Sequence, residues 1–457
     1  MRARITPGGS IGGVARVPGD KSIAHRWLIL AATADGTSRV VGLPPSLDVR
    51  STASCLAEVT TAARPALEAW SRNAPDDAEG HRSTWNVEGS GSVEMPLEVE
   101  GEGRRALVEP GRPLDCGNSG TAMRLLVGTL AASPFRCELI GDESLSTRPM
   151  ERVAEPLRAM GASVRTTDGH APVEVRGGHL LGIAHRPPVA SAQVKGAVLL
   201  AGAAAEGTTT VAEPAPTRDH TERALAALGA DIRTADGRVS VEGGFQPGAF
   251  AGTVPGDVSS AAFLVAAAAL TGSELTLVDV GLNPTRLGFL EVIARMGVRT
   301  EIHVDHEELG EPVGELRVAA SSGLAGTTVA ADELPLVIDE VPVLALLATV
   351  ARGETWFVDA AELRVKESDR LAGVADGVRS LGGHAGVEGS DLVVAGHRLA
   401  GGRADARGDH RLAMAFAVAA LAADAPCEVV GIEAADVSFP GFVPLLRSLG
   451  ASVEVLG

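Results

Sequence analysis

Leu225-Ala-Ala-Leu-Gly-Ala-Asp-Ile-Arg-Thr-Ala-Asp-Gly237 carries the pattern that decides the fold. A helix face runs into Leu228-Gly229, and a strand-like run follows, closed by Asp236-Gly237. Glycine just past a helix supplies the left-handed residue that ends it. Asp-Gly is a two-residue hairpin turn. The same helix end recurs at Gly161, Gly297, Gly382 and Gly450, so there are five copies. Successive glycines are 68, 68, 85 and 68 residues apart. Further turn signals stand at Asp168-Gly169 and Gly389-Ser390. Each unit therefore ends as helix, strand, turn, strand.

A second, more apolar helix recurs with the same rhythm. Its bodies read Ile23–Ala34, Thr121–Ala132, Val194–Ala205, Ser260–Leu270, Val341–Ala351 and Leu412–Ala423. Helices apolar nearly all round belong inside a core. Six units result, each roughly strand, buried helix, strand, amphipathic helix, strand, strand. The first unit departs from the rule. Residues 61–106 read as an insertion rich in Glu, Gly and Ser, and no Leu-Gly helix end is found there. Val17-Pro-Gly-Asp-Lys-Ser22 is echoed by Val254-Pro-Gly-Asp-Val-Ser259, which marks a twofold division. A period near 70 is too long for a common solenoid. The predicted class is α/β, with two similar domains of three βαβαββ units and buried parallel helices. One domain takes residues 1–17 and 254–457, the other residues 18–253, with the site in the cleft between them.

Composition agrees with a large globular chain. Its 457 residues, 45% hydrophobic, suit two or three domains. Aromatics are 3% with no Tyr, so Ala, Val, Leu and Gly do the packing. A net charge of −18 makes nucleic acid and anionic membranes poor partners. The cysteines Cys55, Cys116, Cys137 and Cys427 show no CxxC or metal-ligand spacing. They read as reduced, buried thiols of a cytoplasmic protein, and no metal is expected. The start has no apolar signal-peptide core. Runs such as Ala261–Leu270 fall short of the roughly 18 residues of a membrane span.

The N-termini of the buried helices collect polar residues. They carry Asp20-Lys21-Ser22, Asn118-Ser119-Gly120-Thr121, Ser191-Ala192-Gln193, Asp257-Val258-Ser259-Ser260, Asp339-Glu340 and Gly408-Asp409-His410-Arg411. Capping explains any single Ser, Asp or Asn here. It does not explain Lys21 and Arg411, whose charges oppose the helix dipole. A bound anion would remove that cost. The amphipathic helices add Arg148, Arg218, Arg286, Arg364, Lys366 and Arg370 near their starts. A lone arginine on a helix is usually a solvated charge. Recurrence at one place in successive units points instead to convergence on one cleft, where guanidinium groups bind phosphate and carboxylate. Among the carboxylates Asp339, Glu340, Glu367 and Asp369, most serve as counter-ions, and one facing a substrate hydroxyl could act as a base.

Eight segments, in order, resemble the 5-enolpyruvylshikimate-3-phosphate synthase family. They are Pro18-Gly-Asp-Lys-Ser-Ile-Ala-His-Arg26, Leu114-Asp-Cys-Gly-Asn-Ser-Gly-Thr-Ala-Met-Arg124, Ser146-Thr-Arg-Pro149, Ser191-Ala-Gln-Val-Lys195, Arg218-Asp-His-Thr-Glu222, Pro255-Gly-Asp-Val-Ser-Ser260, Arg364-Val-Lys-Glu-Ser-Asp-Arg370 and Gly408-Asp-His-Arg411. The resemblance spans nearly the whole chain. It implies an inside-out α/β barrel in each domain, helices inside and sheets outside. It also implies transfer of the enolpyruvyl group of phosphoenolpyruvate to shikimate 3-phosphate, by a monomer without a cofactor.

The resemblance assigns roles by position. Lys21 sits between the two substrates. Ser22, Arg26, Ser191, Ala192, Gln193 and Lys366 match shikimate 3-phosphate contacts, with Ala192 offering only backbone. Asn118, Gly120, Arg148, Gln193, Arg370 and Arg411 match the phosphoenolpyruvate site. Asp339 matches the acceptor of the 5-hydroxyl proton, Glu367 the acid/base beside the methylene, and Arg124 a structural residue. Gly120 keeps the small residue beside that methylene, which leaves room for the inhibitor glyphosate. Two positions depart: Val437 stands where some members have Lys, and Glu362 where Asn is frequent. Two alternatives compete. The sister transferase acting on UDP-N-acetylglucosamine uses a loop Cys, which Gly141–Arg148 lacks. A catalytically silent anion-binding homologue is opposed by Lys21, Asp339, Glu367 and Arg411.

Overall fold

The computed structural model describes residues 1–73, 96–320 and 323–457. The five signature glycines all have positive φ, from 82° at Gly382 to 116° at Gly450. They end their helices in the left-handed conformation that side chains resist. The hairpin turns at Asp168-Gly169 and Asp236-Gly237 are left-handed at both residues.

The six apolar helices form at Lys21–Ala32, Gly120–Leu130, Ala192–Gly202, Val258–Thr271, Val341–Ala348 and His410–Ala420. Five have a side-chain cap: Asp20, Ser119, Ser191, Asp257 and Asp409 each accept a backbone N–H from the first turn. Burial continues all round, as from Val258 through Ala269. Outside them, among the described residues, lie six sheets of three or four strands. Their strands alternate instead, as in Thr208–Ala212, where Thr209 and Val211 face inward. The chain thus has the inside-out α/β architecture expected of it. Helix packing is close enough to require glycine. A Cβ on Gly128 would lie 2.3 Å from the Ala197 carbonyl oxygen of the neighbouring helix.

Two apolar cores result, each with its surrounding lobe. One joins Ala3–Val17 to Val258–Ala451, and the other runs from Ile23 to Val254. The chain crosses between them twice, and the strand beside each crossing pairs within its own lobe. Gly13–Ala15 pairs parallel with Leu275–Leu277, while Ala251–Thr253 pairs parallel with Arg39–Val41. At the crossing, Asp20 N donates to Pro255 O at 2.7 Å and Asp257 N to Pro18 O at 2.8 Å.

The first unit is the irregular one. Among the described residues its sheet has three strands, and the helix Leu47–Val59 ends at Thr60 rather than at glycine. Within the stretch read as an insertion, Arg64–Asn73 is helical and Leu97–Glu102 pairs antiparallel with Asp35–Val40. Residues 74–95 of that stretch lie outside the described residues. No helix among the described residues is long and apolar enough to cross a membrane.

Candidate active site

Buried helices from both lobes start at one cleft, where Arg148 lies beside Glu367 and Arg218 on Asp339. Lys21 opens its helix, and its Nζ meets Asp48 Oδ2 at 2.7 Å. Asp48 therefore offsets the cost of a cation at a helix N-terminus. No motif pointed to it, because it sits second on the ordinary-looking helix Leu47–Val59, where an acidic residue is favoured in any case.

Asp339, just before the helix Val341–Ala348, is held by cations from three other segments. Arg218 Nη2 binds its Oδ2, and Arg370 Nη1 lies 3.5 Å from Oδ1. Arg411 Nη1 donates to its carbonyl oxygen at 2.7 Å. Burial pushes the carboxyl upward, but Arg218, Arg411, Lys366 and Arg370 outweigh it and hold Asp339 well below the usual range. Glu367 is similar. Burial raises it, while Arg370 and Arg148 pull it well below the usual range. It contacts Arg370 Nη2, and Arg148 Nη1 lies 3.6 Å away. Both carboxylates are thus ionised in the unliganded protein.

Arg370 is only 1% exposed, and its Nε donates to the buried Asp409 at 2.8 Å. Asp409, read from sequence as a cap, also accepts Arg411 N at 2.8 Å. Across the cleft, Arg148 donates to Asn118 Oδ1 and to Ser144 Oγ at 3.3 Å, and Asn118 Nδ2 donates to Asp142 at 2.7 Å. Arg124 is buried and donates to Gln193 Oε1, whose amide donates to Thr121 Oγ1 at 2.8 Å. Its second nitrogen, Nη2, donates to the Pro149 carbonyl at 3.2 Å.

Other residues assigned from sequence look different in detail. Arg26 is 3% exposed and turned onto Thr221 Oγ1 and Ser22 O, both at 2.7 Å. Ser191 Oγ accepts Val194 N at 3.4 Å, so it caps the helix that Ala192 opens. Lys366 ends a 3-10 turn, and burial lowers its ammonium pKa. Ser22 is half-buried. Arg218 was noticed as one of the recurrent cations but not placed in the site, and it proves to be a direct partner of Asp339.

Convergence of the helix-start cations is only partial. Arg286 does not face the cleft. It is 3% exposed and pairs with Asp20 at 3.0 Å and Asp257 at 3.2 Å, tying the two crossings together. Arg364 is 41% exposed and pairs with Asp369 at 3.3 Å. Glu362, at the position often Asn, reaches across the cleft to Arg152 at 3.2 Å. Val437 lines a cavity of about 820 Å³ beside Asp48, Asn118, Glu367 and His410, together with Arg50, Arg112 and Arg407.

Burial and then Lys21 push the His410 imidazole pKa down to about 3. The sign for stability follows. An unfolded histidine gains its proton near pH 6.5, whereas His410 in the fold does not until about pH 3. Its contribution is complete above the unfolded value and is lost as pH falls toward the folded one. His410→Asn is expected to flatten the fall of the urea midpoint between about pH 6 and 4 by one proton, about 1.4 kcal/mol per pH unit. An unchanged slope would show that the fold tolerates the imidazolium.

Gly120 opens its helix beside two guanidinium groups. A Cβ there would lie 2.9 Å from Arg124 Nη1 and 3.4 Å from Arg148 Nη1. Both are flexible side-chain ends, so Gly120→Ala should fold. An added methyl in a packed site costs about 1–3 kcal/mol. The expected result is a KM for the anion held by Arg148 raised about tenfold, with kcat changed less. An unaltered KM would place that anion elsewhere.

A six-unit inside-out fold whose helix N-termini aim cations and ionised carboxylates into one cleft is the architecture of the enolpyruvyl transferases. The crystal structure of the enolpyruvyl transferase NikO from Streptomyces tendae shares this fold, with a TM-score of 0.73 at 20% identity over 99% of this chain and 98% of that one. Similarity to EPSP synthase from Acinetobacter baumannii is greater, with a TM-score of 0.83 and 38% identity over 100% of both chains. A 3-phosphoshikimate 1-carboxyvinyltransferase from Halorhodospira halophila is 48% identical over 458 residues, covering 99% of this chain and 97% of that protein. The EPSP synthase (3-phosphoshikimate 1-carboxyvinyltransferase) family model matches residues 5–70 and 89–446. The chain belongs to the EPSP synthase family.

Proposed function

We infer that this chain transfers the enolpyruvyl group of phosphoenolpyruvate to the 5-hydroxyl of shikimate 3-phosphate and releases phosphate. That reaction belongs to the shikimate pathway of aromatic amino acid biosynthesis. The observation that carries the reading is the cluster in which Arg218, Arg370 and Arg411 surround Asp339, with Glu367 on Arg370 and Arg148. Such a cluster suits two phosphates and a carboxylate, and it leaves two carboxylates to move protons.

In this reading Arg148, Arg370 and Arg411, with Asn118, Gly120 and Gln193, hold phosphoenolpyruvate. Ser22, Arg26, Ser191, Ala192, Gln193 and Lys366 hold shikimate 3-phosphate, and Lys21 lies between the two. Protonation of the phosphoenolpyruvate methylene by Glu367 or Lys21 makes C2 electrophilic. The 5-oxygen bonds to C2 as its proton passes to Asp339. The C–O bond to phosphate then breaks, a methyl proton returns to the base, and the enol double bond is restored.

The charge pattern gives this sequence an order. Glu367 is a carboxylate while Arg370 and Arg148 face it alone. Substrate anions offset those cations and raise Glu367 toward the usual range, which makes its protonation easier than in the unliganded protein. The two cores act as two domains, residues 1–17 with 254–457 and residues 18–253, whose approach excludes water. The protein is read as a cytoplasmic monomer that needs no metal or organic cofactor.

The test is phosphate release from phosphoenolpyruvate, with and without shikimate 3-phosphate. Release that requires both supports the reading. Binding of both ligands without release would favour a silent homologue.

A further inference from the structure

Away from the substrate cleft, a buried polar cluster joins the lobes beside the crossings. The helix His220–Ala227 of one lobe begins there. His220 and Glu311 are 2% and 1% exposed, and Nδ1 lies 2.7 Å from Glu311 Oε1. On its other side, Nε2 lies 3.3 Å from Arg286 Nη1. A guanidinium only donates, so Nε2 accepts and Nδ1 carries the hydrogen to Glu311. The imidazole is therefore held in one tautomer by two residues of the other lobe.

The clamp extends to both sides of His220. Asn283 Nδ2 bridges Glu311 Oε2 at 2.9 Å and Asp219 Oδ1 at 2.7 Å. Arg223 donates to the carbonyl of Gly310 at 2.8 Å. Arg286 is itself fixed by Asp20 and Asp257 at the crossings. One residue before this clamped segment is Arg218, whose Nη2 holds Asp339.

We propose that His220 is a positioning residue: pinned between Arg286 and Glu311 of the other lobe, it fixes the start of its helix and so holds Arg218 on Asp339. The proposal rests on the reaction assigned above, in which Asp339 faces the shikimate 5-hydroxyl. It predicts an asymmetric defect, because the arginines assigned to phosphoenolpyruvate stand on other segments.

The experiment compares wild type, His220→Leu and His220→Asn by steady-state kinetics in both substrates. His220→Leu is expected to raise KM for shikimate 3-phosphate about tenfold and to leave that for phosphoenolpyruvate nearly unchanged. A variant that is merely destabilised would lose active fraction, lowering apparent kcat with both KM values intact. His220→Asn keeps an N–H near the position of Nδ1 and is expected to recover most of the shikimate 3-phosphate KM. Should His220→Leu fail to fold, His220→Gln, which stays polar but misplaces the donor, is expected to show the same asymmetry. Unchanged KM values, an equal rise in both, or no recovery by His220→Asn overturns the proposal. Calorimetric binding of shikimate 3-phosphate alone to the same proteins separates the two levels. A wild type that binds it without turnover overturns the assigned reaction, while the affinity order of the variants still decides the role of His220.

Discussion

Asp339→Asn is expected to give a folded protein whose kcat is lower by roughly 10²–10⁴, the range for loss of a positioned general base. KM for phosphoenolpyruvate should stay level or fall. The carboxylate lies among Arg218, Arg370 and Arg411, so removing its charge leaves those cations less compensated. An anionic substrate then meets a more positive cleft. The amide keeps the shape of the carboxylate and can still accept from Arg218, which limits collapse of the cluster. Steady-state kinetics by phosphate release would read both numbers. A loss confined to KM would mean that Asp339 only binds, and that the proton goes elsewhere.

Gly128→Ala and Gly128→Leu are expected to destabilise the protein in that order, the second enough to prevent accumulation of folded chain. The reason is a backbone contact. The first added carbon would lie 2.3 Å from Ala197 O and 2.7 Å from Ala197 Cα. Neither atom can turn aside as a side chain can, so the helices Gly120–Leu130 and Ala192–Gly202 must separate. Overpacking a core costs about 1–3 kcal/mol even where side chains can yield. Whole domains hold only about 5–15 kcal/mol. Gly178→Ala is the control, since nothing lies within 4 Å of its added carbon. Urea midpoints of Gly128→Ala and Gly178→Ala, with the soluble yield of Gly128→Leu, test the order. Surviving Gly128→Ala should also lose activity, because the two helices start at Gly120 and at Ala192-Gln193. Equal midpoints for Gly128→Ala and Gly178→Ala would refute the contact.

The fold was readable because glycine marks the same backbone event each time. Gly161, Gly229, Gly297, Gly382 and Gly450 all end helices at positive φ. A turn without that chemistry was missed: Leu309, at φ 46°, precedes Gly310 in a hairpin that no Asp-Gly or Asn-Gly pair announces. The site divides the same way. Residues at helix N-termini were readable, since a cation there contradicts the dipole and calls for an explanation. Whether a given arginine faces the cleft was not. Arg148 and Arg286 occupy similar places in their units, yet one lies beside Glu367 and the other ties the crossings. Packing between lobes makes that difference, and periodicity within a unit carries no trace of it. Asp48 was missed for a related reason, since an acid in the first turn of a helix needs no partner to be favourable.

The division of one core between two distant stretches of chain constrains the order in which the molecule can be assembled. The core from Ile23 to Val254 draws on one continuous segment, so it can form as soon as that segment exists. The other core cannot. Arg2–Thr6 lies between Cys427–Val430 and Ser452–Leu456, with Ile5 opposite both Cys427 and Val453. Residues of this strand thus leave the ribosome more than four hundred positions ahead of their partners. During synthesis that leading strand remains an unpaired edge, the kind of surface on which growing chains aggregate. Its brevity, at five residues, and the charges of Arg2 and Arg4 limit that exposure.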